Sequence, residues 1–245
     1  MLPILIKWLK ETAPVCWLRK WYRARFRQLE DHGFSDTDPL NFVRKSRGVV
    51  HVGANSGQEA WIYGMMKKPV LWFEPLPNQF RELQNNIRQY PNQKCVRRAL
   101  SDQSGQSVTF HVTSNDGLSS SMFAPAKLQE LWGHIEVSDS IEVLTSTLAD
   151  EINSVKHGRR FDALVLDVQG AELKVLQGAG TILTQFRWIL AELSDVVLYE
   201  GACSRIEVEE FLANHGFFVQ QEHLKKTKLG LGSEWDVLFE RKNRS

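Results

Sequence analysis

The 245-residue chain is long enough for one α/β domain with additions, and its 42% hydrophobic and 24% charged residues are those of a globular body rather than a disordered or fibrous one. Net charge is +1 and no long basic stripe runs through the body, so electrostatics give no reason to propose a nucleic-acid partner. No stretch approaches the roughly 18 consecutive apolar residues of a membrane span, and Cys16, Cys95 and Cys203 are too scattered for a disulfide framework or metal cluster, which points to a reducing, cytoplasmic setting.

In chain order, residues 1–28 set seven basic side chains, from Lys7 to Arg27, against one acid, Glu11, with apolar residues such as Ile4, Trp8, Trp17 and Trp21 interleaved. Two readings stand: helices packed on the domain with their basic side in water, or a surface helix lying on anionic membrane as a peripheral contact. Residues 1–40 are read as a basic amphipathic helical extension and 41–245 as the main domain. From Asp38-Pro39 onward, short apolar runs alternate with polar helical segments, the pattern of parallel strands joined by crossover helices. Strands are expected near 48–53, 70–74, 94–99, 162–167, 187–193, 216–222 and 234–240, and helices near 56–66, 77–89, 171–179 and 204–214. Between about 105 and 150 the alternation breaks into a polar loop, Ser114 to Ser121, and an extra strand around Ile141 to Leu144; such an insertion is expected to carry substrate contacts.

The first strand, Val49-Val50-His51-Val52, runs into Gly53-Ala54-Asn55-Ser56-Gly57 and a helix expected from Gln58. Glycine lets backbone approach a ligand closely, and a new helix offers unpaired N–H groups to an anionic group. Asn55 is one of the few residue types that tolerates left-handed backbone. Twenty-one residues after Gly53, Glu74 ends the next apolar run, where an acid accepts hydrogen bonds from both ribose hydroxyls of an adenosine. A third piece, Leu100-Ser101-Asp102, places a carboxylate for an adenine amino group with Leu100 and Ser101 beside the ring. A nicotinamide-dinucleotide enzyme shares a glycine turn and a later acid, but the loop lacks the G-x-G-x-x-G spacing.

These segments, with Phe73-Glu74-Pro75 and above all the run from Leu166-Asp167-Val168-Gln169-Gly170-Ala171-Glu172 to Ala179, resemble the FkbM-type methyltransferases, a branch of the class I S-adenosylmethionine-dependent enzymes. The resemblance covers about Val49 to Phe218. It implies a Rossmann-like α/β fold, a seven-stranded mostly parallel sheet with helices on both faces, and S-adenosylmethionine as cofactor. Residues Gly53, Ala54, Asn55, Gly57, Glu74, Pro75, Leu100, Ser101, Asp102 and Asp167 are then cofactor-binding. His51 stands where the family's strand usually ends in Asp; it is grouped with them without a specific role, against the plainer reading of a partly buried, hydrogen-bonded histidine. The implied reaction is O-methylation of a hydroxyl on a sugar, glycan or natural product, with N-methylation of a peptide or small molecule, or a non-catalytic cofactor-binding scaffold, as alternatives.

A neutral hydroxyl must lose its proton on methylation, so a group that accepts it is expected at the substrate end. Asp167, ending Leu164-Val165-Leu166-Asp167, is the first candidate for base or orienting group, because open α/β sheets place active sites at the C-terminal ends of strands. Glu192 is expected to reach the same crevice from the next strand, and Glu172 either joins them or serves its helix dipole. Asp167 and Glu192 can alternatively hold a divalent cation, since hard oxygen ligands suit magnesium. Asn115, Ser119 and Ser120, with Ser121, are the candidate acceptor contacts.

Overall fold

Three of the apolar runs become strands buried along their whole length, each followed by a turn and a helix. A computed structural model of the protein describes residues 39–155 and 161–242. The chain divides into two compact units, Met1–Asn41 and Phe42–Ser245, and the description that follows concerns the second. The expectations for residues 1–28 fall outside the described residues.

The elements run β1 (Val49–Val52), α1 (Ala60–Met65), β2 (Val70–Phe73), α2 (Pro77–Ile87), β3 (Gln93–Val96), β4 (Ala99–Ser101), β5 (Ser107–Thr113), α3 (Leu128–Trp132), β6 (Val137–Thr147), α4 (Leu148–Ser154), β7 (Ala163–Leu166), α5 (Glu172–Ala179), β8 (Trp188–Ser194), α6 (Arg205–Asn214), β9 (Phe217–Lys228) and β10 (Gly232–Arg241). Seven strands form one sheet in the order β3-β2-β1-β7-β8-β10-β9. The pairings from β3 to β8 are parallel, and β10 is antiparallel to both neighbours. The fold is thus the Rossmann-like, mostly parallel α/β sheet that the resemblance implies.

Strands buried on both faces explain the unbroken apolar runs of β1, β2 and β7. One face, with Val50, Val52, Leu164 and Leu166, packs under Leu148 and Ile152 of α4, Val175 and Leu176 of α5, and Val208 and Leu212 of α6. On the other, His51 and Trp72 meet Tyr63 of α1. Helix α6 starts where Ser204 and Glu207 form a reciprocal capping box, and α2 starts with Pro at its first position, where no N–H is missed.

The strand order changes direction between β1 and β7, and the crevice beyond their C-terminal ends is the switch point at which α/β sheets bind ligands. Two departures from the sequence expectation matter there. The run expected as one strand near 94–99 splits: β3 stays in the main sheet, while β4 pairs with β6 in a separate three-stranded sheet, order β4-β6-β5. The insertion therefore holds a long β5–β6 hairpin rather than a single strand, register Ser107↔Leu144 to Thr113↔Val137. Second, α1 starts at Ala60, because positive φ at Gly53, Asn55 and Gly57 is incompatible with helix. The N–H groups of the turn are bonded within the protein, Gly53 and Ala54 to Phe73, Asn55 to Glu74, Ser56 to the Asn55 side chain and Gly57 to Ala54.

Candidate active site

The turn after β1 is a close approach between two backbones. A Cβ on Gly53 would lie 1.7 Å from the Asp167 carbonyl oxygen, at a φ of +83° that side chains rarely adopt. At Gly57 a Cβ would meet Leu83 at 2.5 Å. Gly53 and Ala54 both donate backbone hydrogen bonds to the Phe73 carbonyl, and Asp167 N–H donates to Val52, so the ends of β1, β2 and β7 are tied together. Asn55, at φ 44°, accepts from Ser56 N–H at 2.7 Å and from Gln58 Nε2 at 3.0 Å, and donates from Nδ2 to the Asp116 carbonyl. A glycine at this position offers none of these side-chain bonds.

Glu74 is 4% exposed, and its carboxylate organises the loop: Oε2 accepts from Asn55 N–H at 2.7 Å and Oε1 from Leu76 N–H at 2.8 Å. Burial pushes its carboxyl up to about 7 against those bonds. Each oxygen retains a second lone pair, enough for a diol on top of the two backbone donors. Pro75 follows at the rim, half-buried. Leu100 and Ser101 are buried, and Asp102 accepts from Ser101 Oγ at 2.8 Å and pairs with Lys174 of α5 at 3.1 Å. Burial pushes the Asp102 carboxyl up, but the Ser101 and Lys174 bonds outweigh it and hold it below its usual value.

His51 takes the plainer course. Its ring is 5% exposed, stacks on Trp72 at 4.7 Å, and has Nδ1 at 3.1 Å from the Tyr63 hydroxyl. Burial lowers its pKa to about 4, against the pull of Asp167, so it is neutral at pH 7. Its side chain serves the aromatic layer beneath α1, and the structure does not bring it onto the glycine turn.

At the ends of β7 and β8 the structure brings Asp167 and Glu192 together through a residue passed over in the sequence. Gln169 donates from Nε2 to Asp167 Oδ1 at 2.7 Å and to Glu192 Oε1 at 3.1 Å. The other Glu192 oxygen is ion-paired with Lys225 of β9, which also lies 3.9 Å from Asp236. The Gln169 amide N–H₂ thus stands between Asp167 and Glu192, and an ammonium takes the other Glu192 oxygen, so the pair in this arrangement does not fit a metal. Among the described residues no group of three or more His, Cys, Asp or Glu is gathered to hold one. Glu172 is 2% exposed and turns back onto its own loop, accepting from Val168 N–H at 3.1 Å and Gly170 N–H at 3.3 Å. Burial pushes it up to about 7.

The insertion roofs this crevice. At one end the Asp116 carbonyl accepts from Asn55 and from Gln79 of α2, both at 3.1 Å. At the other, the Tyr199 hydroxyl, with one proton to donate, lies 3.0 Å from the Ser119 carbonyl and 2.6 Å from Gln169 Oε1, and Ser121 Oγ donates to the Gln169 carbonyl at 2.8 Å. Asn115, half-buried, donates to Ser119 Oγ, and Ser120 Oγ accepts from Thr113 N–H, so the residues expected to contact the acceptor hold the loop in shape, with Ser119, Ser120 and Ser121 buried in it. Behind Gln169 and Tyr199 a small cavity of about 30 Å³, partly open to solvent, is walled by Glu192, Leu198, Cys203 and Glu234. That is room for a water or two rather than for an acceptor.

Comparison with known proteins adds to this geometry. The family model described as Methyltransferase FkbM domain matches residues 51–219, from β1 into β9. A curated relative, the 2-O-methyltransferase NoeI of Sinorhizobium fredii (strain NBRC 101917 / NGR234), is 30% identical over 161 residues, 62% of this chain. The chain spans 65% of that relative's length. Among solved structures, magnesium protoporphyrin IX methyltransferase of Synechocystis PCC 6803, crystallised with SAH, is similar in fold at TM-score 0.51 and 10% identity, over 96% of this chain and 91% of that one.

Proposed function

The chain belongs to the FkbM methyltransferase family, and we propose that it moves a methyl group from S-adenosylmethionine to a hydroxyl oxygen of a sugar or related polyol. The observation that carries this reading is the crevice at the β1/β7 switch point, with a tight glycine turn and a buried carboxylate with lone pairs to spare on one side and Asp167 on the other. The 2-O-methyltransferase relative supports oxygen as the acceptor atom.

When bound, S-adenosylmethionine supplies a methyl group made electrophilic by its sulfonium. Glu74 would hold the ribose hydroxyls and Asp102 the adenine amino group, while Gly53 and Gly57 let the turn pack against the Asp167 backbone and Leu83 and so hold Glu74 and Asp167 at the crevice. Asp167 accepts the proton that leaves the acceptor hydroxyl, so a neutral ether forms beside S-adenosylhomocysteine. The insertion and Tyr199 cover the crevice, which excludes water and fixes the acceptor for in-line attack.

Isothermal calorimetry with S-adenosylhomocysteine, followed by labelled methyl transfer to a panel of neutral hexosides, tests this. No binding of S-adenosylhomocysteine at millimolar concentration ends the reading. Replacing Glu74 by Ala is expected mainly to weaken cofactor binding, and replacing Asp167 by Ala to lower kcat by about 100-fold or more, as loss of a general base does.

A second reading concerns location. Residues 1–28 supply +6 of charge, and 29–245 carry −5, which favours a basic extension that attaches the enzyme to an anionic lipid surface. No helix among the described residues is long and apolar enough to cross a membrane.

A further inference from the structure

Gln169 stands in a backbone conformation that a glutamine has no local reason to adopt. Its φ is +55°, in the left-handed region that favours Gly, Asn and Asp, and Gly170 follows at +96°. A Cβ on Gly170 would meet the Ala202 Cβ at 2.6 Å, so the turn between β7 and α5 has little room to relax. This pair of left-handed residues brings the Gln169 amide back onto Asp167, two residues earlier in the chain.

There it makes bonds that fix its orientation. Carboxylates only accept, so the N–H₂ group faces Asp167 Oδ1 at 2.7 Å and Glu192 Oε1 at 3.1 Å. The amide oxygen lies 2.6 Å from the Tyr199 hydroxyl, and the Gln169 carbonyl accepts from Ser121 at 2.8 Å. Glu192 is already paired with Lys225. Asp167 has Gln169 as its side-chain partner, and among the described residues nothing donates to Oδ2.

We propose that Gln169 is the positioning residue for Asp167. Its amide fixes the plane of the Asp167 carboxylate through Oδ1, leaves Oδ2 for the acceptor proton, and ties that orientation through Tyr199 and Ser121 to the insertion that covers the crevice. The proposal rests on the reading of Asp167 as the group that takes the acceptor proton. Strain in the backbone is retained because three segments distant in sequence, at Ser121, Glu192 and Tyr199, all bond to this one residue.

The test compares wild type with Gln169→Ala and Gln169→Asn. Asparagine tolerates left-handed backbone, so the second variant keeps the turn with less strain, which offsets lost side-chain bonds, but it is one methylene too short to span both carboxylates. Crystal structures with S-adenosylhomocysteine are expected to show the Asp167 carboxylate turned from its wild-type orientation in both variants, a comparison that needs no acceptor. Affinity for S-adenosylhomocysteine stays within about twofold, while kcat on the hexoside best methylated by wild type falls about 10- to 100-fold with KM for S-adenosylmethionine unchanged. A merely structural role predicts that melting temperature and kcat move together; here Gln169→Asn keeps the first and loses the second. An unmoved Asp167 in both crystal structures overturns the proposal, as does an unchanged kcat or a rise in acceptor KM alone. Wild type that fails to bind S-adenosylhomocysteine overturns instead the cofactor reading on which the proposal depends.

Discussion

Glu74 meets two demands that pull its proton in opposite directions. As the proposed ligand for ribose hydroxyls it would accept hydrogen bonds in its ionised form, whereas burial favours the protonated acid and raises it from 4.5 to about 7. A folded-state value raised above the unfolded one contributes stability that is present below pH 4.5 and is lost as pH rises through about 7, so the empty site is less stable when Glu74 is charged. Ligand binding follows the opposite course, because it draws on the ionised form. Affinity for S-adenosylhomocysteine is therefore expected to fall by up to about tenfold for each pH unit below 7, with proton release on binding near neutrality. Titrations across pH 5–8 in buffers of different ionisation enthalpy measure both. In Glu74→Gln the pH dependence flattens and affinity is uniformly weaker; an undiminished slope in that variant would show that another group controls it. The placement of the glycines, Glu74, Asp102 and Asp167 beside the strand ends was legible in the sequence, because each ends or follows an apolar run. The placement of Gln169 was not, since it comes from a left-handed backbone and from bonds to Glu192, Tyr199 and Ser121, which are 23, 30 and 48 residues away.

The strands and helices of the main sheet were readable for a similar reason: β1, β2 and β7 are buried on both faces and show it as unbroken apolar runs. The break between β3 and β4 left no such signal, because a strand that exchanges one partner for another keeps its composition. Its position is nevertheless decided by packing, and Gly178 of α5 is the contact that allows it. A Cβ there would lie 2.1 Å from the Ser101 carbonyl, which is backbone and has no side chain to swing aside. Alanine in a helix interior is favoured over glycine by about 1 kcal/mol, so intrinsic propensity predicts that Gly178→Ala stabilises the protein. Overpacking of about 1–3 kcal/mol outweighs this, and the strain falls on Ser101 and Asp102. The variant is expected to melt lower by urea or heat and to bind S-adenosylhomocysteine more weakly than wild type. A higher melting temperature with unchanged affinity would mean that α5 and β4 separate without cost, and that β4 does not set the adenine end of the site.

On the scale of the whole chain, a net charge of +1 conceals a separation of sign: seven basic residues against one acid in residues 1–28, and an excess of five acids over the rest. An evenly mixed surface with this net charge has no reason to approach an anionic bilayer, whereas a segregated one presents its basic end and keeps its acidic body away. Each Lys or Arg near an anionic membrane surface contributes about 1 kcal/mol, and the attraction is screened over about 10 Å at 0.1 M salt. The aromatic and aliphatic residues interleaved in that segment, such as Trp8, Trp17, Trp21 and Phe26, add an apolar term that salt does not screen. The full chain is thus expected to co-sediment with vesicles containing phosphatidylserine, to bind purely zwitterionic vesicles much less, and to lose part of its binding as salt rises from 0.05 to 0.5 M, on the order of a Debye length's contraction. Reversing Arg19, Lys20, Arg23 and Arg25 to Glu should abolish co-sedimentation while leaving S-adenosylhomocysteine affinity unchanged, since none of these residues belongs to the cofactor crevice as assigned. Equal binding to anionic and zwitterionic vesicles, or binding that survives the charge reversal, would assign the segment to packing or to apolar insertion and remove the electrostatic argument.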